Sequence, residues 1–248
     1  MTSLSGLRGQ QIIEASPEAT AQRAARDLTA FARHRLATAG RVHWALSGGS
    51  SPERLYQLLA HAPDYGREDW ARTDLWQVDE RCVAEDDPRL NFAMIRAALV
   101  NDVSLPRQRV HPMPVDRADG AEIYERDLRN ALAASEARLD IAILGMGPDG
   151  HTASLFPRSP ALAERGRWVT LNDGEHVALP RPRMTLTYPV IGSARLIAVL
   201  VTGSPKHATL RQAANEPTNA RDYPIVGIAP GSDTQLIWYL DRAAAEGS

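Results

Sequence analysis

Short aliphatic runs alternate with longer segments whose apolar residues recur every three or four positions, and the alternation continues almost to the end of the chain. Ser16 followed by Pro17 is a helix start, and the segment runs through Ala24, Leu28, Phe31 and Leu36 to a stop at Gly40. A strand over Val42–Leu46 follows. Ser51-Pro52-Glu53 opens a second helix through Leu55, Leu58 and Leu59, and a strand is predicted over Asp74–Val78. After a polar loop, Asp79–Asn91, the pattern predicts a helix over Phe92–Leu99 and a strand near Val110–Val115. A helix from about Asp119 to Ala134 and a strand over Leu139–Leu144 come next. Beyond the breakers Phe156-Pro157-Arg158-Ser159-Pro160 come strands near Trp168–Leu171 and Leu196–Val201, a helix begun by Pro205, and a last strand at Leu236–Leu240.

This rhythm of strand, helix and strand is that of an α/β fold, with a mainly parallel, open sheet flanked by helices on both faces. No linker or repeat divides the chain, so residues 1–248 are expected to form one domain. In such sheets ligands bind beyond the carboxyl ends of the strands. The loops after Leu46, Val78, Leu144 and Val201 should therefore converge.

Composition narrows the partners. The 28 Lys+Arg against 30 Asp+Glu leave a net charge of -2, no excess with which to hold a nucleic acid. The first residues, MTSLSGLRGQQ, lack the apolar core of a signal peptide, and no aliphatic run is long enough to cross a bilayer. A soluble cytoplasmic protein, a monomer or small homo-oligomer, is expected. Cys82 alone permits neither an internal disulfide nor a CxxC metal knuckle. Beside Arg81 its thiol has a possible route to a lowered pKa, although a packed small side chain is the plainer reading. Of the cationic residues 27 are Arg, and Lys206 is the only lysine.

Each of the four loops carries chemistry. Ser47-Gly48-Gly49-Ser50 stands between a strand and a helix, where free N–H groups, hydroxyls and the helix N-terminus make either an anion cradle or a plain Gly/Ser turn. Asp79-Glu80-Arg81, with Asn91 beyond, is either a solvated charge run or a site for hydroxyls and an anion. Gly145-Met146-Gly147-Pro148-Asp149-Gly150-His151 fits the dinucleotide pattern G-x-G-x-x-G, but Phe156-Pro157 stops any following helix too soon for that fold. What this loop offers instead is His151 as a general base beside Asp149, or else a structural histidine. In Gly203-Ser204-Pro205-Lys206, the lysine falls in a helix's first turn, where a cation is disfavoured unless an anion sits there. Arg183, between Pro182 and an apolar stretch, is a further candidate.

Taken in order, LSGGSSPERLY (46–56), VDERCV (78–83) with Asn91, LGMGPDGHTASLFP (144–157), PRMTLTYPVI (182–191), GSPKHA (203–208) and WYLD (238–241) resemble the 6-phosphogluconolactonases. The resemblance covers nearly the whole chain. It implies hydrolysis of a six-carbon sugar lactone bearing a 6-phosphate, in the oxidative pentose phosphate pathway, with neither metal nor organic cofactor. By position, Ser47, Gly48, Gly49 and Ser50 match the phosphate loop, Arg81, Arg183 and Lys206 match cationic residues around the substrate, and His151 matches the base. Asp79 and Asp149 match acidic positions of the wider superfamily. Ala84 and Leu90 depart from the usual pattern of the second loop. The related glucosamine-6-phosphate deaminases continue from the histidine loop with Phe-Asn-Glu-Pro. Here Ser154-Leu155-Phe156-Pro157 stands instead, with Phe156 at the position of their ring-opening glutamate. A deaminase-like isomerase and a non-catalytic sugar-phosphate sensor are the alternatives.

Overall fold

The structure, a computed structural model, describes residues 4–247; Met1–Ser3, where the segment read for a signal peptide begins, and Ser248 lie outside the described residues. The main sheet holds β1 (Gln10–Glu14), β2 (Val42–Leu46), β3 (Thr73–Gln77), β5 (Val110–His111), β6 (Ile141–Gly145), β9 (Leu196–Val201) and β10 (Gln235–Asp241). Its order is β1-β10-β9-β6-β2-β3-β5, and every pair is parallel. A second, antiparallel sheet, β4-β8-β7, is made of β4 (Asp79–Arg81), β7 (Val169–Asn172) and β8 (Arg183–Leu186).

Burial on both faces explains the near-continuous apolar strands. Along β9, Leu196, Ala198 and Leu200 join one buried cluster while Ile197, Val199 and Val201 join the other, because successive side chains leave a strand on opposite sides. The helices α1 (Pro17–Ala39), α2 (Ser50–Ala60), α3 (Arg67–Trp70) and α4 (Asn91–Ile95) supply the first cluster. The other face receives α5 (Gly120–Leu132), α6 (Tyr188–Ser193), α7 (His207–Asn215) and α8 (Arg242–Glu246). The caps of α1 are those its sequence signals: Ser16 Oγ accepts from the Ala19 N–H at 3.2 Å, and left-handed Gly40 closes the last turn on the Leu36 carbonyl.

Several boundaries differ from the sequence reading. The expected strand at Val110–Val115 shortens to two residues, since Pro112 and Pro114 have no N–H to donate to a neighbour. The helix expected over Phe92–Leu99 begins at Asn91 and passes into a π-helical turn over Arg96–Val100. The segment read as a polar loop from Asp79 begins as β4. The strand near Trp168–Leu171 belongs, with β4, to the antiparallel sheet rather than the parallel one. Edge strand β1, unpredicted, is parallel to β10. Among the described residues no helix is long and apolar enough to cross a membrane.

Candidate active site

The strand order changes direction at β2 and β6: the chain goes from β2 to β3 on one side, while β6 and β9 lie on the other. Loops leaving such a switch point part from each other and open a crevice. A cleft of about 230 Å³ lies there, lined by Ser47, Gly48, Gly49, Ser50, Asp79, Arg81, Asn91, His151, Arg183 and Lys206, among others. The four predicted loops do converge, and nine of the ten expected site residues line one cavity. Asp149, the tenth, stands behind His151.

The first wall is the turn from β2 into α2. Gly49 has φ of 108°, a conformation that favours glycine, and it turns the chain so that α2 starts at Ser50 with its N-terminus at the cleft. The Ser47 carbonyl is pinned by the Tyr56 hydroxyl at 2.8 Å, while Ser47 Oγ is buried with no hydrogen-bond partner among the described residues. Gly48 is packed tightly: a Cβ there would stand 1.8 Å from Asn91 Oδ1.

The second wall depends on the small sheet. Strand alternation puts Asp79 and Arg81 on the cleft side of β4 and turns Glu80 away, which corrects the expectation that all three charged groups share one site. Glu80 is buried and accepts from the Arg81, Asn91 and Phe92 N–H groups and from Gln77 Nε2, all at 2.7–2.8 Å. Burial raises its pKa, and those four donors oppose the rise. Asp79 accepts from Ser154 Oγ at 2.6 Å and from Asn91 Nδ2 at 3.3 Å. Arg81 donates to the Arg89 carbonyl, and its Nε is buried without a partner among the described residues.

Arg183 sits opposite Arg81 in the ladder. Its Nε donates to the Pro180 carbonyl at 2.6 Å and its Nη2 to that of Ala178 at 3.2 Å, so the fork is held by backbone rather than by a carboxylate. Burial, followed by the charge of Arg81, lowers its pKa. Two guanidinium groups kept close without a bridging acid form a site for an anion. Lys206 ends the helical turn Ser204–Lys206 that leads into α7, close to the first turn expected for it. Burial lowers its pKa and the charge of Asp149 opposes the change. Gly203 before it has φ of 90°, and its N–H is held by both Asp241 oxygens, at 3.0 and 3.1 Å.

The third loop fixes the imidazole. His151 Nδ1 lies 2.5 Å from Asp149 Oδ1, and the His151 N–H donates to the same oxygen at 3.2 Å. The Gly147 N–H closes the loop on the His151 carbonyl at 2.8 Å, and Thr209 Oγ1 of α7 donates to the Pro148 carbonyl at 2.6 Å. Burial would raise the Asp149 carboxyl, but the hydrogen bond and charge of His151 together hold it below its ordinary value. No helix follows Gly150, in keeping with the rejected dinucleotide fold; Thr152 and Leu155 instead form an isolated bridge. Cys82 is half-buried and its thiol is pushed up by burial, the reverse of the activation its arginine neighbour allowed. Among the described residues no group of three or more His, Cys, Asp or Glu is placed to hold a metal ion.

Sequence reasoning undervalued the supports. Asn91, Ser154 and Asp241 lay inside motifs of the family resemblance and Glu80 inside a charged loop, but none was given its supporting role, and Thr209 carried no signal, since the contacts of Ser154, Thr209 and Asp241 are to residues distant in the chain.

The comparisons with known proteins agree with this geometry. The family model described as glucosamine-6-phosphate isomerases/6-phosphogluconolactonase matches residues 15–238. A human protein named GDH/6PGL endoplasmic bifunctional protein is 40% identical over 245 residues, covering 96% of this chain; the chain spans only 30% of that relative's length. A 6-phosphogluconolactonase of Synechocystis is 36% identical over 217 residues, covering 85% of this chain and 86% of the relative. The solved structure of 6-phosphogluconolactonase from Trypanosoma cruzi superposes with a TM-score of 0.83 at 28% identity, covering 97% of both chains. Because the matched span runs from the cap of α1 into β10, and so through every loop of the cleft, this chain belongs to the glucosamine-6-phosphate isomerase/6-phosphogluconolactonase family.

Proposed function

We propose that this chain hydrolyses 6-phospho-D-glucono-1,5-lactone to 6-phospho-D-gluconate, the lactonase step of the oxidative pentose phosphate pathway. The observation that carries the reading is the pairing of His151 with Asp149 at 2.5 Å beside a cleft that also holds Arg81, Arg183, Lys206 and the Ser47–Ser50 turn. The 36% identical Synechocystis relative, matched over 86% of its length, bears the name of that activity.

The mechanism follows from the donors. A carboxylate on Nδ1 fixes the tautomer in which Nδ1 carries the proton, and leaves Nε2 bare to take one from water. Water then attacks the lactone carbonyl, the carbonyl oxygen becomes an oxyanion, and the imidazolium returns its proton to the departing ring oxygen. Asp149 stabilises that imidazolium. The helix N-terminus at Ser50 and the cationic side chains bind the phosphate, and the one nearest the carbonyl stabilises the oxyanion. Asp79, tied to Ser154 and Asn91, is left to accept from a sugar hydroxyl.

The test is lactone disappearance above the spontaneous rate, with H151A alongside. General-base catalysis contributes about 10²–10⁴-fold, so kcat should fall within that range. An unchanged kcat removes His151 from the mechanism, and ammonia release from glucosamine 6-phosphate in place of lactone hydrolysis replaces the reading with a deaminase.

A further inference from the structure

Phe156 is buried at 1% exposure and lines no part of the cleft, yet two of the cleft's charged or chargeable groups rest on its ring. The His151 ring centroid is 4.4 Å from that of Phe156, with the planes 34° apart. The Arg183 guanidinium carbon lies 5.6 Å from the same centroid. Local chain geometry produces this placement: the Thr152–Leu155 bridge turns the chain back, and the Ser159 N–H fixes the Phe156 carbonyl at 3.1 Å.

We infer that Phe156 is a positioning residue that couples the base to the anion site, holding the plane of His151 and the guanidinium of Arg183 on one aromatic surface. Asp149 on Nδ1, Gly147 against the ring and Phe156 at 4.4 Å between centroids together restrict the His151 ring. Among the described residues the Arg183 guanidinium donates to backbone carbonyls and lies over this ring. The negative face of a phenyl ring attracts a guanidinium, and it attracts an imidazole most when that ring is protonated during turnover. Neither role is supplied by apolar volume alone.

The inference rests on the proposed lactonase reading for the names of the two roles and for the ligand, so its test is read from spectra and binding, with hydrolysis followed alongside to separate the two. In F156L, which keeps apolar bulk but removes the ring, the NMR signals of the His151 ring protons should lose their aromatic ring-current displacement. Affinity for 6-phosphogluconate, read by titration calorimetry, should fall by about five- to tenfold, the range of a partly desolvated cation–aromatic contact. In an R183M background the same substitution should weaken affinity less than about twofold, because the cation over the ring has already gone. Unmoved His151 signals, or equal losses in both backgrounds, overturn the inference. If F156L does not fold, pentafluorophenylalanine at position 156 keeps the shape and reverses the charge of the ring face; an affinity equal to wild type then overturns it. Loss of coupling with lactone hydrolysis intact rejects Phe156 alone, whereas coupling without hydrolysis rejects the lactonase reading.

Discussion

Gly147→Ala puts the proposed position of the base to a direct test. A Cβ on Gly147 would lie 2.0 Å from His151 Nδ1, 2.1 Å from Cε1 and 2.7 Å from Asp149 Oδ1. Gly147 φ is outside the left-handed range, so alanine is compatible with the backbone and the strain falls on the imidazole. To reach an ordinary contact of 3.4 Å the ring has to retreat by about 1.4 Å, and Asp149 Oδ1, itself within 3.0 Å of the new methyl, has to shift as well, which disturbs the pair. A misplacement of about 1 Å costs on the order of 10²-fold in rate, or about 2.7 kcal/mol in the barrier. We therefore expect kcat for 6-phosphogluconolactone, followed as lactone disappearance above the spontaneous rate, to drop by about 10²-fold with an almost unchanged melting temperature. Gly145→Ala is the control: its Cβ meets nothing within 4 Å, so any effect of the methyl on substrate should appear in KM while kcat stays within about twofold. If G147A keeps kcat within about threefold of wild type, His151 is not held where a base must be, and the mechanism fails.

Three further outcomes follow from the same geometry. G48A, whose Cβ would stand 1.8 Å from Asn91 Oδ1, should displace Asn91 and release Asp79, raising KM about tenfold or more with stability nearly intact; an unaltered KM would separate Asp79 from substrate binding. K206R places a planar fork where a compact ammonium stands, and should weaken binding of the phosphorylated lactone more than that of the unphosphorylated one; equal kinetics for both substrates would show that the only lysine is a compositional accident. At the opposite end of the sheet Asp74 meets Arg109 at 3.0 Å and His111 Nε2 at 2.9 Å, and D74N should cost about 3 kcal/mol at neutral pH by leaving the Arg109 guanidinium without its carboxylate. Burial alone would raise the Asp74 carboxyl, but His111, His43 and Arg109 bring it below its ordinary value. Its contribution is thus complete above the usual carboxylate range and disappears as pH falls through the lower folded value. Thermal melts against pH should show the gap between wild type and D74N closing below about pH 4, and a constant gap would refute the ion-pair account.

What could be read from the sequence was what its local chemistry controls. The caps of α1, the strand Val42–Leu46 and the strand Leu196–Val201 agree with the structure because Ser16-Pro17, Gly40 and unbroken apolar runs act over a few residues. Convergence of the four loops was also legible, as a property of parallel sheets. The small sheet was not, since β4 is three residues long and pairs with Arg183–Leu186 about a hundred positions away. That pairing decides which charges matter: it turns Asp79 and Arg81 into the cleft, turns Glu80 out of it, and brings in Arg183, which as a sequence feature is one arginine among 27.

Phe156 shows the limit most sharply. In the sequence it is half of the Phe156-Pro157 pair that stops a helix and so excludes a dinucleotide fold, and it stands where the deaminases carry their ring-opening glutamate. In the structure the same turn delivers its ring beneath His151 and beside Arg183, two residues that no periodicity connects. A residue with no polar atom leaves no mark in a search for charged or nucleophilic side chains. Yet a base and a cation that must act on one substrate need a common rigid support, and among the described residues Phe156 is the aromatic side chain in contact with both. The arrangement of the cleft therefore depends on an apolar side chain that lies wholly beneath it.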